Sequence, residues 1–130
     1  MRKVLFALIA LTFISCKDNN VVSVGNKTTM EVEKVFDAGN VVKGEMVTAR
    51  FTVKNTGEYP LVLAEVKASC SCTVAEYDED PLSPGESMVL MAHVNTDKTG
   101  TGIINKAVRI VANTEPSITQ VMIKANVTAR

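Results

Sequence analysis

The stretch VTARFTVK, residues 47–54, carries the clearest pattern in the sequence, with apolar odd positions and polar even positions. A period of two is typical of a β-strand that turns one face to a core and the other to solvent. The next residues, NTGE at 55–58, are of the types that favour a turn. The stretch therefore predicts a half-buried strand that ends near residue 55.

The same period recurs through the chain after residue 29, between segments rich in turn residues. No stretch beyond residue 16 keeps a helical period, and no strand–helix alternation indicates a parallel sheet. From Leu61 onward we expect the even positions 62, 64, 66 and 68 to face the core. The other strand-like stretches lie at 30–37, followed by a predicted bend at 38–40, and at 87–96, 104–112 and 121–127. In the last three stretches the residues expected to form one apolar face are Leu90, Ala92 and Val94, then Ile104, Val108, Ile110 and Ala112, then Val121, Ile123, Ala125 and Val127. About seven short strands predict an all-β fold, a single immunoglobulin-like β-sandwich over residues 30–130.

Composition narrows the classes of function. The 130 residues have an apolar fraction of 46% and no net charge, so a packed core is expected and nucleic acid is not an expected partner. His93 is the single histidine, and no Gly-x-Ser-x-Gly nucleophile motif is present. The sequence therefore predicts no catalytic residues, no enzyme activity and no cofactor.

The first fifteen residues have the pattern of a signal peptide. Arg2 and Lys3 precede an apolar run of 11 residues at 4–14. This run is too short to cross a hydrocarbon layer of about 30 Å, but it has the length of the apolar region of a signal peptide. We therefore predict that residues 1–15 are removed on export.

The sequence FISC at 13–16 resembles a bacterial lipobox, in which a small residue precedes a lipid-modified cysteine. Phe13 stands where leucine is usual. The resemblance implies that Cys16 becomes the acylated first residue, carrying palmitate and other acyl chains that hold the protein on a membrane. Residues 16–29 then form the lipidated cysteine and a tether. The expected location is the cell envelope, facing the periplasm or the cell surface.

Short landmarks along the chain resemble a known bacterial family, the domain of unknown function 1573, which is common in secreted and lipid-anchored proteins. In order they are FDAG at 36–39, GE at 44–45, Phe51, NTG at 55–57, PL at 60–61, ASCSCT at 68–73, PGES at 84–87 and Asn113. The resemblance covers about residues 30–127. The family commonly has Cys-Gly-Cys where this chain has Cys70-Ser71-Cys72. It implies an immunoglobulin-like, scaffold-type module and no enzyme activity.

Cys70 and Cys72 remain once Cys16 is assigned to lipid, and an exported protein meets oxidising conditions. In an extended strand, Cα atoms two residues apart lie roughly 6.6–7.2 Å from each other. Disulfides prefer about 4.4–6.8 Å, so a bond between the two cysteines needs a local bend.

Three interpretations of Cys70 and Cys72 stay open. They are small buried residues or a static disulfide, continuing the even-numbered face of the strand before them. Alternatively they are a redox pair that exchanges with partner thiols. As a third interpretation, two thiolates bind a soft metal ion such as Cu(I).

The overall prediction is a lipid-anchored, non-enzymatic interaction or scaffold module with a protein partner. Open sheet edges accept partner strands. Val89, Met91 and His93 are predicted to form a mildly apolar stripe on the outer face of their strand. The alternative is a periplasmic thiol–disulfide or soft-metal-binding protein that acts through Cys70 and Cys72.

Overall fold

A computed structural model describes residues 25–130 of the chain. The predicted signal peptide, the predicted lipidation site Cys16 and the predicted tether as far as residue 24 lie outside the described residues. The elements in chain order are β1 (Met30–Val32), β2 (Val35–Val42), β3 (Met46–Asn55), β4 (Leu63–Ala68), β5 (Thr73–Glu76), β6 (Ser87–Asn95), a 3₁₀ turn (Thr96–Lys98), β7 (Gly102–Ala112) and β8 (Ile118–Thr128).

The strands form two four-stranded sheets, with the orders β1-β3-β6-β5 and β2-β8-β7-β4. All neighbouring strands are antiparallel except β2 and β8, which are parallel. This is the strand order of an immunoglobulin-type sandwich whose first strand is divided between the sheets, so that β1 pairs with β3 and β2 pairs with β8. The predicted all-β sandwich is confirmed.

The core lies between the two sheets and is built from alternate residues of the strands. Phe51, near the centre of β3, is fully buried, and the ring of Phe36 meets it edge-on at 6.3 Å between centroids. The predicted inward faces of β3, β6, β7 and β8 are confirmed. Their buried apolar residues are Val47, Ala49, Phe51, Val53, Leu90, Ala92, Val94, Ile104, Val108, Ile110, Ala112, Val121, Ile123, Ala125 and Val127.

The predicted inward face of β4 is wrong at its start. Leu61 and Leu63 are buried, whereas Ala64 is exposed, and the alternation continues at the half-buried Val66 and Ala68. The register of β4 against β7 shifts between Leu63 and Glu65. An extra residue in one strand moves the following side chains to the other face. The odd-numbered residues Leu61 and Leu63 therefore face the core before the shift, and the even-numbered residues Val66 and Ala68 face it afterwards.

The predicted strand at 30–37 also differs from the structure. It divides after Val32, and β2 continues through the predicted bend at 38–40 to Val42. The bend appears instead as a shift in the β2–β8 register between Asp37 and Asn40, where Gly39 has a φ of +67°. Glycine adopts this left-handed conformation without a Cβ clash, which lets the strand deviate and then resume pairing.

Two asparagines tie the loops at one end of the sandwich. Asn55 is fully buried; its Nδ2 donates to the carbonyl oxygens of Tyr59 and Leu82 at 2.7 and 2.8 Å, and its Oδ1 accepts from the Thr28 hydroxyl at 2.9 Å. Asn113 Oδ1 accepts from the Val62 amide at 2.8 Å. Thr28, at the end of the predicted tether, is thus packed on the domain.

Candidate functional site

The two cysteines lie in the turn between β4 and β5. The Thr73 amide donates to the Cys70 carbonyl at 3.3 Å, which closes the turn. The Cα atoms of Cys70 and Cys72 are 5.3 Å apart, and their sulfurs form a disulfide. This separation is shorter than an extended strand allows and falls within the range that disulfides prefer. The turn supplies the local bend that a Cys-x-Cys disulfide requires.

The cysteines follow the end of β4 but keep its alternation of burial, since Cys70 is half-buried, Ser71 is exposed and Cys72 is buried. Strand β4 ends at Ala68, and the amide of Ser69 makes a last bond to the Ala107 carbonyl at 2.9 Å. From Val66 to Cys72 the even-numbered residues are half-buried or buried and the odd-numbered residues are exposed. The interpretation of Cys70 and Cys72 as a disulfide pair that continues this face agrees with the structure, although the turn carries them beyond the last pairing with β7.

The two sulfurs have unequal surroundings. Cys72 is 5% exposed, whereas Cys70 is only half-buried. The Cys72 carbonyl accepts from the Asn95 amide at 2.8 Å, which fixes this residue to β6. Cys70 lies in the turn between the exposed residues Ser69 and Ser71. Cys70 is thus the more exposed residue of the pair.

Thr73 is a site residue that the sequence analysis did not identify. It is 5% exposed, and its hydroxyl oxygen lies 3.6 Å from Cys70 Sγ and 3.5 Å from Cys72 Sγ. In the described part of the chain, these sulfurs are the hydrogen-bond partners of the hydroxyl. The only signal in the sequence was that Thr73 directly follows Cys72, and adjacency alone does not predict a buried hydroxyl.

Around the cysteines, the described residues supply few further side chains that could help to bind a soft metal ion. Between residues 25 and 130 there is no cluster of three or more His, Cys, Asp or Glu side chains that could hold a metal ion. The two sulfurs are bonded to each other, so reduction would have to precede any coordination by thiolates.

His93 lies on the outer face of β6, as predicted, between two neighbouring strands. Its Nδ1 is 3.0 Å from the Thr48 hydroxyl on β3, and its Nε2 is 3.5 Å from a carboxylate oxygen of Glu76 on β5. The predicted outer stripe is present, since Val89 is 47% exposed and Met91 and His93 are half-buried. Val74 on β5 and Met46 on β3, both 59% exposed, extend this mildly apolar surface.

A second candidate site is the edge of β3. Strand β1 pairs only with Val53, Lys54 and Asn55, so within residues 25–130 no strand covers residues 46–52 on that side. The Asn55 amide points to β6, where it donates to Glu86, and backbone directions alternate along an antiparallel strand. The amide and carbonyl groups of Thr48, Arg50 and Thr52 therefore point away from β6, toward the uncovered edge.

A groove with a volume of about 540 Å³ runs beside this edge, between β2 of one sheet and β3 of the other. Phe36, Ala38 and Val41 contribute half-buried apolar side chains from β2, and the buried Val47 contributes one from β3. Asp37 and Glu45 also line it, but each carboxylate accepts a hydrogen bond from a nearby backbone amide. The groove thus lies beside unpaired strand backbone and has a mixed floor, in which apolar side chains stand among polar ones.

The remaining sheet edges are protected in the ways that natural proteins use. Strands β1 and β5 have only 3 and 4 residues, while β2 and β4 carry register shifts. The uncovered part of β3 has no such interruption.

No helix of the described residues is long and apolar enough to span a membrane.

The strand order and the divided first strand define an immunoglobulin-like β-sandwich domain. The chain belongs to the family described as "Protein of unknown function (DUF1573)", which matches residues 28–127. The family expected from the landmarks is confirmed. Several of those landmarks prove to be structural, because Asn55, Gly57 and Asn113 hold the loops together. No curated protein is significantly similar to this chain.

Solved structures support the fold. A protein of unknown function from Porphyromonas gingivalis W83 is 24% identical with a TM-score of 0.69, and the match covers 84% of this chain and 51% of that one. This chain therefore spans about half the length of the Porphyromonas protein. The ASH/PapD-like domain 7 of human CEP192 is 8% identical with a TM-score of 0.64, covering 80% and 88%. The secreted serine protease VesC from Vibrio cholerae is 15% identical with a TM-score of 0.61, covering 77% and 23%.

Proposed function

We propose that this protein is a lipid-anchored, non-enzymatic module of the bacterial cell envelope that binds an extended segment of a partner protein along the uncovered edge of β3. The single observation that carries the proposal is the row of backbone groups at Thr48, Arg50 and Thr52, for which the described chain supplies no strand. A peptide backbone is the ligand that matches alternating amides and carbonyls at this spacing.

The side chains that line the groove indicate which side chains the bound segment should have. A strand added to β3 directs alternate side chains toward the groove floor, where Phe36, Ala38 and Val41 lie. The side chains that contact Phe36, Ala38 and Val41 are expected to be apolar, because these three residues present apolar surface there. The other side chains of the added strand would lie on the outer face, beside Met46 and the stripe of Val89, Met91 and His93.

The anchor is proposed from residues 1–16, where the apolar run and FISC support export and acylation of Cys16. Anchoring confines the domain to the membrane surface, which raises its effective concentration toward envelope partners. Strand addition through backbone hydrogen bonds needs no metal or cofactor.

A photo-crosslinking amino acid at position 48 of the full-length protein in intact cells tests the proposal. The partner peptide recovered would be synthesised and its binding measured against Thr48→Pro and Thr48→Val. Proline removes an amide that points to the open edge and breaks no backbone bond to β6. The bond between the Thr48 hydroxyl and His93 on β6 is lost in both variants, so we expect binding to weaken at least tenfold for Thr48→Pro alone. Equal binding by both variants, or crosslinks from Glu58 that match those from position 48, would contradict strand addition.

A second candidate function is thiol–disulfide exchange through Cys70 and Cys72. The observation that favours it is the unequal burial of the two sulfurs, which leaves one side of the disulfide open. The reduction potential of the cysteine pair separates the candidates. A value near −200 mV would place the pair in the exchangeable range, whereas a value below about −300 mV would mark a structural bond. Partner binding that survives Cys70→Ser with Cys72→Ser supports the strand-binding role.

A further inference from the structure

We propose that Cys70 is the sulfur through which the disulfide exchanges with an external thiol, and that the Thr73 hydroxyl holds Cys72 as the leaving thiolate. The inference rests on the thiol–disulfide candidate and is independent of strand binding at β3. It names Cys70 as the sulfur that is attacked, Cys72 as the leaving group and Thr73 as the positioning residue. The sequence alone does not distinguish the two sulfurs.

Access decides the point of attack. Exchange requires a thiolate to approach one sulfur of the disulfide. Cys72 is 5% exposed and its backbone is bonded to Asn95 of β6, whereas Cys70 is half-buried in the exposed turn beside Ser71. The approach to Cys70 Sγ is therefore the open one.

Thr73 favours the same direction. Its buried hydroxyl has the two sulfurs as partners within the described residues, at 3.5 Å for Cys72 and 3.6 Å for Cys70. A disulfide sulfur is a weak acceptor, but a thiolate accepts a charge-assisted bond that is roughly twice as strong. The hydroxyl therefore stabilises the reduced form more than the oxidised form.

The rigid position of Cys72 keeps its sulfur beside that hydroxyl after the bond breaks. Both Cys72 and Thr73 are fixed against β6, Cys72 through the bond from Asn95 and Thr73 through pairing opposite Val94. Cys70 is tied by the longer bond that its carbonyl accepts from Thr73. Cys70 is thus free to carry the incoming group while Cys72 stays in place.

The step balances as a simple displacement. An external thiolate attacks Cys70 Sγ and forms a mixed disulfide with it. The Cys70–Cys72 bond breaks, and its electron pair leaves on Cys72 Sγ as a thiolate that accepts the Thr73 hydrogen bond. The external thiol is oxidised and Cys72 is reduced. A second thiol, or Cys72 itself in the reverse step, resolves the mixed disulfide.

The test uses the oxidised full-length chain carrying Cys16→Ser, so that only Cys70 and Cys72 react. It is treated with excess reduced glutathione, or with a thioredoxin that lacks its resolving cysteine, quenched with acid at early times and alkylated with N-ethylmaleimide. Tandem mass spectrometry is expected to find the thiol adduct on Cys70 and the maleimide on Cys72 at least tenfold more often than the reverse. The probe that reacts identifies a small thiol or a protein thiol as the source.

An even distribution, or an excess of adduct on Cys72, would overturn the inference while leaving thiol exchange intact. No adduct with either probe would overturn both the inference and the thiol–disulfide candidate. Neither result bears on strand binding at β3.

The role of Thr73 is tested in Cys16→Ser chains that also carry Cys70→Ala, where Cys72 is the remaining thiol. We expect Thr73→Val to move the pH midpoint of Cys72 alkylation upward by about one unit, and Thr73→Ser to keep the parent midpoint. A residue with only a packing role would change the unfolding temperature without moving the midpoint. Identical midpoints for Thr, Ser and Val at position 73 would remove Thr73 from the proposal.

Discussion

At the scale of single residues, a few polar side chains hold this sandwich together although most of its core is aliphatic. Asn55 is the clearest case, since it is fully buried and joins three segments of chain through its side-chain amide. A buried polar group is stable only when its hydrogen bonds are made, and every partner of Asn55 is itself far along the chain or in a loop. The residue therefore acts as a lock, by which we mean a buried side chain whose hydrogen bonds hold loops from distant parts of the chain together.

We predict that Asn55→Ala lowers the free energy of unfolding by about 3 kcal/mol, because it leaves the carbonyls of Tyr59 and Leu82 without their donor. Urea or thermal unfolding measures the loss. The matched control is Asn40→Ala, whose exposed side chain accepts a hydrogen bond from Asn126, and whose effect should stay within about 0.5 kcal/mol. Similar losses for the two variants would show that Asn55 is not a lock.

Gly39 provides a backbone test. Its φ of +67° disfavours any residue with a Cβ, although the space around it is open. Gly39→Ala should cost about 1 kcal/mol of unfolding free energy, while Gly100→Ala, at a position with open space and an ordinary φ, should cost close to nothing. Unfolding curves compare them directly. An unchanged free energy of unfolding in Gly39→Ala would mean that the register shift of β2 does not need a left-handed residue at position 39.

At the scale of elements, the division of the first strand decides what the surface offers. Because the chain leaves β3 after Val32 and crosses to β8, β1 covers only the last three residues of β3. The remaining edge keeps its backbone groups for solvent or a partner. The same strand that forms the centre of the core is thus also the strand most open to addition.

Hydrogen exchange followed by NMR checks the orientation of β3. The amides of Ala49, Phe51 and Val53 point to β6 and should be strongly protected. The amides of Thr48, Arg50 and Thr52 point to the open edge and should exchange much faster. Uniform protection along the strand would mean that the edge is covered, and would remove the basis for strand addition by another protein.

The disulfide closes a loop of three residues, so its contribution to stability is small. The entropy that so short a loop removes from the unfolded chain corresponds to roughly 1.5 kcal/mol. Cys70→Ala with Cys72→Ala should therefore lower the free energy of unfolding by about that amount, measured against the oxidised parent. A loss above about 3 kcal/mol would mark the bond as a main support of the fold.

At the scale of the whole molecule, the proposed role depends on attachment as well as on the domain. The Asn26, Lys27 and Thr28 segment packs against the β7–β8 loop: Asn113 donates to the Asn26 carbonyl, and Lys27 pairs with Glu115. The hydrogen bond and charge of Lys27 lower the pKa of the Glu115 carboxyl. Chain arriving from the proposed anchor therefore joins the sandwich at the end where the asparagine locks lie.

We predict that Cys16→Ser moves the full-length protein from the membrane fraction to the soluble fraction and abolishes incorporation of a palmitate analogue. Fractionation and metabolic labelling measure the two effects. Cys70→Ser with Cys72→Ser is the matched control and should leave both unchanged. Continued labelling of the Cys16→Ser protein would contradict acylation at that residue.

The sequence by itself determined the fold class, the family and the inward faces of β3, β6, β7 and β8, because side-chain alternation is a local property of extended chain that the residue pattern records directly. Only the tertiary structure decided which strands pair, where the register of β4 shifts, and that Thr73 is buried beside both sulfurs. It also decided that β3 keeps an open edge. These features depend on contacts between residues distant in sequence, and a period of two gives the direction of each side chain but not the strand it will meet.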